Sequence, residues 1–310
     1  VGADACRCAV AAAAAAAVEM RTSAAMAARR RMAGGRDHAR MTGRLVVCPT
    51  PIGNLEDVTL RVLSALREAD VIACEDTRTT KVLLDRYGVS AERVRYDANV
   101  ERRVAPKLVE RMRAGAVVAL VSDAGMPLVS DPGFVLVQAC VAAGLAVEVL
   151  PGPSAALAAL VVSGLPAETW RFVGFLPRRS GALEAAFQVP ETLVAFESPR
   201  RVGSSLAVLA ALDPARPVAV CRELTKVHEE VVRGTAAELA ERYADAQVRG
   251  EVVLVVGPAP VEAAALDAGL DALRRLVDAG ARARPAAGVV AELTGLSANA
   301  LYRALTAPQQ

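Results

Sequence analysis

The chain has 310 residues, 54% of them hydrophobic but only 3% aromatic, which excludes a single small module and global disorder. The core must therefore be aliphatic, built from Ala, Val and Leu. The 36 basic and 34 acidic residues leave a net charge of +2, and Lys81, Lys107 and Lys226 are the only lysines, so overall charge announces no nucleic-acid partner.

In chain order, residues 1–40 come first: an alanine run from Ala11 to Ala17, the cluster Arg29-Arg30-Arg31 and Gly34-Gly35, with no strand pattern and no sustained amphipathic stripe. They read as a disordered basic extension, or as residues upstream of a true start at Met41. A secretory signal fits poorly, because only Arg7 precedes the apolar stretch and Asp4 offsets it. The longest uncharged stretch, between Glu148 and Glu168, is broken by Pro151, Gly152, Pro153, Gly164 and Pro166. It is too short to cross a bilayer as one apolar helix, so a soluble protein is expected. Cys6, Cys8, Cys48, Cys74, Cys140 and Cys221 show no repeated C-x-x-C spacing, and only His38 and His228 could join them. No metal site is expected, and the thiols read as free in a reducing cytoplasm.

From Met41 the pattern alternates. Apolar runs at Leu45–Cys48, Val71–Cys74, Val117–Val121 and Val147–Leu150 predict strands; Val58–Ala69, Lys81–Tyr87 and Phe134–Ala143 have helical spacing. This βαβ order implies a mostly parallel, doubly wound sheet over 41–165, with ligands beyond the carboxyl ends of its strands. A second α/β domain over 166–260 is predicted from strand-like runs at Arg171–Leu176, Thr192–Phe196, Pro217–Cys221, Glu230–Val232 and Val252–Val256. Over 261–310, helical periodicity at Leu266–Ala279, Ala286–Leu293 and Ala298–Leu305, with Gly295 and Ser297 as a stop and an N-cap, predicts a small helix-turn-helix-like domain.

The loops after the strands are the chemically interesting ones. No G-x-G-x-x-G follows the first strand and no P-loop sequence occurs. That position instead holds the stiff Thr50-Pro51-Ile52-Gly53-Asn54. Glu75-Asp76-Thr77-Arg78, Ser122-Asp123-Ala124-Gly125-Met126-Pro127, Ser130-Asp131-Pro132-Gly133 and Pro151-Gly152-Pro153-Ser154 follow the next strands, so four strand ends point loops at one crevice. Asp76, Thr77 and Ser154 are equally readable as helix caps.

Taken together, Cys48–Asp57, Glu75–Arg78, Val121–Gly133, Leu150–Ala155, Gly174-Phe-Leu-Pro177, Phe196-Glu-Ser-Pro-Arg-Arg201 and Arg222-Glu-Leu-Thr-Lys226 resemble, in order, the motifs of the bacterial ribosomal RNA small-subunit methyltransferase I family. That family is a branch of the tetrapyrrole (corrin/porphyrin) methylases. The similarity runs from Leu45 to Gly257, and Ala291–Tyr302 is similar to the family's C-terminal helical domain. The resemblance implies the tetrapyrrole methylase-like two-domain α/β fold, a homodimer, and S-adenosylmethionine-dependent methylation of the ribose 2′-oxygen of cytidine-1402 in 16S rRNA, free or in the small ribosomal subunit. It implies donor contacts at Pro51, Ile52, Asp123, Gly125, Met126, Pro127, Val129, Ser154, Ala155, Phe196 and Cys221. Candidates for the catalytic groups are Glu75, Arg78, Glu197, Arg201, Glu223 and Lys226: a lysine of lowered pKa could serve as base, while the arginines suit phosphate clamping or ion pairing.

The chain also departs from that family. A stretch that in the family carries two histidines reads Tyr96-Asp97-Ala98-Asn99-Val100-Glu101 here, and Arg200 replaces a frequent histidine, so no histidine role is carried over; His228 reads as a strand residue. Arg93, Arg95, Arg102, Arg103, Lys107, Arg111 and Arg113, and separately Arg178-Arg179, form either an RNA-binding patch or an ordinary charged helix surface. A small-molecule tetrapyrrole methylase and a noncatalytic ribosome-binding protein are the rival readings. Seven of the basic and three of the acidic residues lie in the first forty, so the body carries 29 against 31 and an RNA enzyme would have to concentrate its arginines on one face.

Overall fold

A computed structural model describes residues 43–259 and 263–306; the expectations for residues 1–40 and Met41 lie outside them. Two five-stranded sheets carry the α/β body. The first comprises β1 (Arg44–Val47), β2 (Val71–Cys74), β3 (Glu92–Arg95), β4 (Val117–Val121) and β5 (Ala146–Val149), all parallel and ordered β3-β2-β4-β1-β5. Its helices are α1 (Leu60–Glu68), α2 (Thr77–Arg86), α3 (Glu101–Arg113) and α4 (Phe134–Ala142). Strand β2 reads Val-Ile-Ala-Cys and is buried along its whole length, as a parallel strand covered on both faces must be. On one face α1 and α2 pack Leu63, Leu66, Leu83 and Leu84; on the other α3 and α4 pack Leu108, Met112, Leu136 and Cys140.

The second sheet contains β6 (Trp170–Phe175), β7 (Thr192–Glu197), β8 (Pro217–Arg222), β9 (Glu230–Thr235) and β10 (Val252–Val256), ordered β6-β7-β10-β8-β9. Only β6 and β7 are parallel; β10 runs antiparallel between β7 and β8, and β9 returns antiparallel along β8. Helices α6 (Ser180–Phe187), α7 (Val202–Leu212) and α8 (Ala236–Tyr243) cover one face. The opposite face receives α5 (Ala155–Ser163), whose Ala156, Ala159 and Leu160 pack on Val194, Ala219, Cys221 and Val253. By packing, α5 belongs with the second sheet, although the sequence reading places it in the first half, because its length of chain follows β5 directly. Helices α9 (Ala263–Asp278), α10 (Ala283–Thr294) and α11 (Ala298–Thr306) form a small cluster around Leu273, Ala287, Val290 and Leu301. Gly295, at φ 71°, ends α10, and the Ser297 hydroxyl accepts the Ala300 N–H at 3.3 Å to cap α11.

The apolar pattern does not reveal β3, and α3 enters the sequence reading only as the charged helix surface offered for Arg93–Arg113. Strand β3 is a sheet edge of sequence Glu-Arg-Val-Arg with three exposed residues, so it lacks the apolar run of its neighbours. His228 is corrected as well: it is exposed in the turn between β8 and β9, not in a strand. Among the described residues no helix is long and apolar enough to cross a membrane.

Candidate active site

The carboxyl ends of β1, β4 and β5 meet the second sheet at a cleft of about 240 Å³. Its floor and walls are Ile52, Gly125, Met126, Val129, Ser154, Ala155, Phe196, Val252 and Val253; Ser130, Asp131, Phe175, Glu197, Pro199 and Glu251 also border it. Thus three of the four strand-end loops converge as expected. The β2 loop does not reach the lining. It stands behind the cleft, where the Asp76 N–H donates to the Asp123 carboxylate at 3.0 Å.

Short backbone ties hold the loops. Thr50 and Gly125 exchange N–H···O bonds of 2.9 and 3.0 Å, and the Thr50 hydroxyl donates to the Ser122 carbonyl at 3.0 Å. Gly125 has φ 79°, and a Cβ there would come 3.3 Å from Ile52 Cγ2 at the cleft wall, so only glycine suits this close approach. Asn54 N–H donates to Thr225 Oγ1 at 3.1 Å, which joins the first loop to the β8–β9 turn of the second half. A Cβ on Gly53 would lie 2.4 Å from Lys226 Cγ. Among the described residues four non-glycine residues take positive φ, Leu128 (73°) and Ser130 (68°) on one side of the cleft and Glu223 (52°) and Thr225 (66°) behind the other. Each such conformation costs about 1–3 kcal/mol and persists only where the surroundings enforce it.

The structure spends most of the sequence-predicted catalytic groups on one another. Glu197 is fully buried; it accepts Ser198 N–H at 2.7 Å and Ser205 Oγ–H at 2.5 Å, with Arg201 at 3.4 Å. Arg201 in turn donates to the Leu176 and Pro177 carbonyls at 3.2 and 2.7 Å, clamping the end of β6 to the end of β7. Lys226 bridges Glu223 at 2.7 Å and Glu251 at 3.1 Å. Burial opposes its charge, but these two carboxylates outweigh burial and hold its pKa above the ordinary lysine value. Of the two readings of Lys226, these contacts favour a charged cross-link over a base of lowered pKa. Glu223 is held below the usual range first by Lys226 and then by the Glu251 N–H. Arg78, itself exposed, forks onto Asp76, and Asp76 also caps α2 by accepting the Arg78 N–H at 2.8 Å. Ser154 likewise caps α5 while lining the cleft.

Glu75 differs from these. It forms no ion pair among the described residues, and burial, then the charges of Asp123, Asp97 and Asp76, raise its pKa. Asp123 is raised by burial too, against the Asp76 N–H that stabilises it. Of the expected donor contacts, Ile52, Gly125, Met126, Val129, Ser154, Ala155 and Phe196 line the cleft, whereas Pro51, Asp123, Pro127 and Cys221 do not. Cys221 is buried in the core with Sγ toward the Ala159 carbonyl, and burial pushes its thiol up to about 11; the adjacent Val253 presents its side chain in its place.

The sequence reading did not single out Asp131 or Phe175. Asp131 lies in the quoted loop motif and borders the cleft, just after the positive-φ residues Leu128 and Ser130. Phe175 is 63% exposed at the mouth, edge-on to Phe196 at 5.5 Å. Arg178, Arg179 and Arg200 are exposed near the clamp made by Arg201, and none forms an ion pair among the described residues. In the other basic segment Arg95, Arg111 and Arg113 are neutralised by Asp97, Glu92 and Glu110, leaving Arg93, Arg102, Arg103 and Lys107 exposed and unpaired among the described residues. No group of three or more potential metal ligands occurs among the described residues.

The family profile of the Tetrapyrrole (Corrin/Porphyrin) Methylases matches residues 44–240. The chain is 48% identical over 267 residues to the ribosomal RNA small subunit methyltransferase I of Mesorhizobium japonicum, covering 84% of this chain and 90% of that protein. It is 43% identical to the protein of the same name from Mycobacterium tuberculosis, covering 85% and 95%. Among solved structures it is similar to the native form of uroporphyrin III C-methyl transferase from Thermus thermophilus, with 25% identity and a TM-score of 0.51 over 69% of this chain and 97% of that one. A cobalt precorrin-4 methyltransferase, 18% identical with a TM-score of 0.54, shares the fold.

Proposed function

The chain belongs to the tetrapyrrole (corrin/porphyrin) methylase family, and within it to the ribosomal RNA small subunit methyltransferases I; from this we propose that it methylates the ribose 2′-oxygen of cytidine-1402 in 16S rRNA. It is an S-adenosylmethionine-dependent rRNA methyltransferase. The observation that supports the 2′-oxygen reading best is the cleft's division of labour: an apolar inner wall, and a carboxylate, Asp131, without an ion pair among the described residues, with exposed arginines next in the chain to Pro177 and to the cleft residue Pro199.

The inner wall fits the donor. S-Adenosylmethionine carries no phosphate, so it needs no glycine-rich cradle. Ile52, Met126, Val129, Phe196 and Val253 offer apolar surface, and Gly125 lets backbone approach closely where a Cβ would crowd Ile52. When bound, the donor supplies an electrophilic methyl group on a sulfonium. The chain's own residues must then hold the ribose oxygen in line with that methyl and accept the hydroxyl proton. We assign the RNA phosphates to the exposed Arg178, Arg179 and Arg200, and a base to the exposed ring of Phe175. Glu197 with Arg201, and Glu223 with Lys226, keep the walls in register rather than touch the reacting atoms.

We take the working form to be a homodimer in the cytoplasm. Helices α4 and α5 are apolar around most of their circumference yet leave Phe134, Val141, Leu157 and Val161 exposed, a pattern expected of helices covered by a partner. The functional reading is tested by tritiated methyl transfer from S-adenosylmethionine to isolated small ribosomal subunits, and to naked 16S rRNA, from a strain lacking the modification. Label in ribosomal RNA supports it; label only in an added tetrapyrrole acceptor, or in nothing, removes it.

A further inference from the structure

Methyl transfer to a ribose hydroxyl needs an acceptor for a proton from a weak acid. The cleft offers three titratable side chains: Glu197, Glu251 and Asp131. Glu197 is fully buried, with both oxygens already engaged by Ser198, Ser205 and Arg201. Glu251 is tied to Lys226 and otherwise turned to solvent. Asp131 forms no ion pair among the described residues. It is carried there by a loop that holds Leu128 and Ser130 at positive φ, with Ser130 Oγ 3.2 Å from where a Cβ on Gly174 would lie, next to Phe175 at the cleft mouth.

We propose that Asp131 is the general base that takes the 2′-hydroxyl proton of the target nucleotide. In the step, the O–H bond breaks as the proton passes to an Asp131 carboxylate oxygen. The 2′-oxygen forms a bond to the methyl carbon, and the carbon–sulfur bond breaks with its electron pair moving to sulfur, leaving neutral S-adenosylhomocysteine. Asp131 then loses the proton to water.

The groups around Asp131 suit that task. Burial, then the charge of Glu75, push its carboxyl up to about 6, with Asp123 adding to the rise and Ser122 opposing it by a hydrogen bond. A base of this strength is ionised at neutral pH yet stronger than an ordinary aspartate. Glu75 thereby acquires a role as a positioning residue: its charge strengthens Asp131 without touching substrate.

This inference rests on the ribosomal RNA reading. Its test is single-turnover methyl transfer to small subunits by the full chain, from about pH 5 to 8.5, with S-adenosylhomocysteine affinity measured calorimetrically on each variant. For the wild type, the rate should rise with pH about tenfold per unit below a bend near 6 and then level off. Asp131→Asn should lower the plateau about 100-fold or more and erase the bend, with S-adenosylhomocysteine and RNA affinities within about twofold; Asp131→Glu should restore part of the rate. Glu75→Gln should move the bend to lower pH. Asp131→Asn retaining its rate within about threefold, or losing ligand affinity in proportion to rate, overturns the assignment. No transfer to ribosomal RNA by the wild type would instead remove the functional reading itself, and this base with it.

Discussion

Replacing Arg201 with Met separates a structural clamp from a catalytic cation. The substitution removes the cation 3.4 Å from fully buried Glu197 and strips the donors from the Leu176 and Pro177 carbonyls. Breaking a fully buried ion pair costs about 3–5 kcal/mol. Here the penalty is smaller, because Glu197 keeps Ser198 and Ser205 as donors and the Arg201 side chain is 26% exposed. The two carbonyl bonds add about 1 kcal/mol each. A net loss of about 2–4 kcal/mol follows, which lowers Tm by about 5–15 °C for a domain of this size. Differential scanning calorimetry of Arg201→Met and Arg201→Lys, alongside single-turnover methyl transfer at a temperature where both are folded, reads the two effects apart. The clamp account expects a large Tm drop and a modest rate change, with donor affinity weakened through Phe196 and Pro199. An unchanged Tm with a rate lowered about 1000-fold would show that Arg201 acts on the reacting groups and would refute the clamp.

Three further outcomes are expected. Gly125→Ala forces a side chain into φ 79° against Ile52, so S-adenosylhomocysteine should bind about 10-fold or more weakly by calorimetry while the core stays folded. The pKa of Glu223 is depressed on folding and that of Lys226 is raised. The stability from Glu223 is therefore present above its ordinary value of 4.5 and lost as pH falls through its folded value, and that from Lys226 is present below its ordinary value of 10.5 and lost as pH rises through its folded value. Glu223→Gln should thus flatten the acid side of a Tm–pH curve, and Lys226→Met the alkaline side. Changing Arg178, Arg179 and Arg200 together to Ala should lower the magnitude of the log–log salt slope of RNA binding by about 2, at ~0.7 per phosphate contact on single strands; an unchanged slope in filter binding would take the phosphates away from the mouth.

Much of this architecture was legible in the sequence for a simple reason. Val71–Cys74 and Val117–Val121 sit in the middle of a parallel sheet and had to be continuous apolar runs, and the polar Glu75-Asp76-Thr77-Arg78 and Ser122-Asp123-Ala124-Gly125 that follow them mark where each ends. The edge strand Glu92–Arg95 has no such run because only one side of it needs a partner, so the pattern does not mark it. The loops were located by their position after strands, but their internal geometry was not. Asp131 borders the cleft and Asp123 does not, and the left-handed backbone at Leu128 and Ser130 that leads into Asp131 is a property of tertiary enforcement rather than of residue type. In the same way Lys226 has the composition of a base, and only the placement of Glu223 and Glu251 around it shows a cross-link.

The most direct test of the whole account is the chemical identity of the product nucleoside. Small subunits from a strain lacking the modification are incubated with the full chain and isotopically labelled S-adenosylmethionine, and the RNA is then hydrolysed in alkali. A methyl group on the 2′-oxygen blocks attack on the adjacent phosphodiester, so the account predicts label in one alkali-resistant dinucleotide whose 5′ member is 2′-O-methylcytidine, mapped by mass spectrometry to position 1402 of 16S rRNA. Label recovered as a base-methylated mononucleotide, or dispersed over many sites, would contradict it.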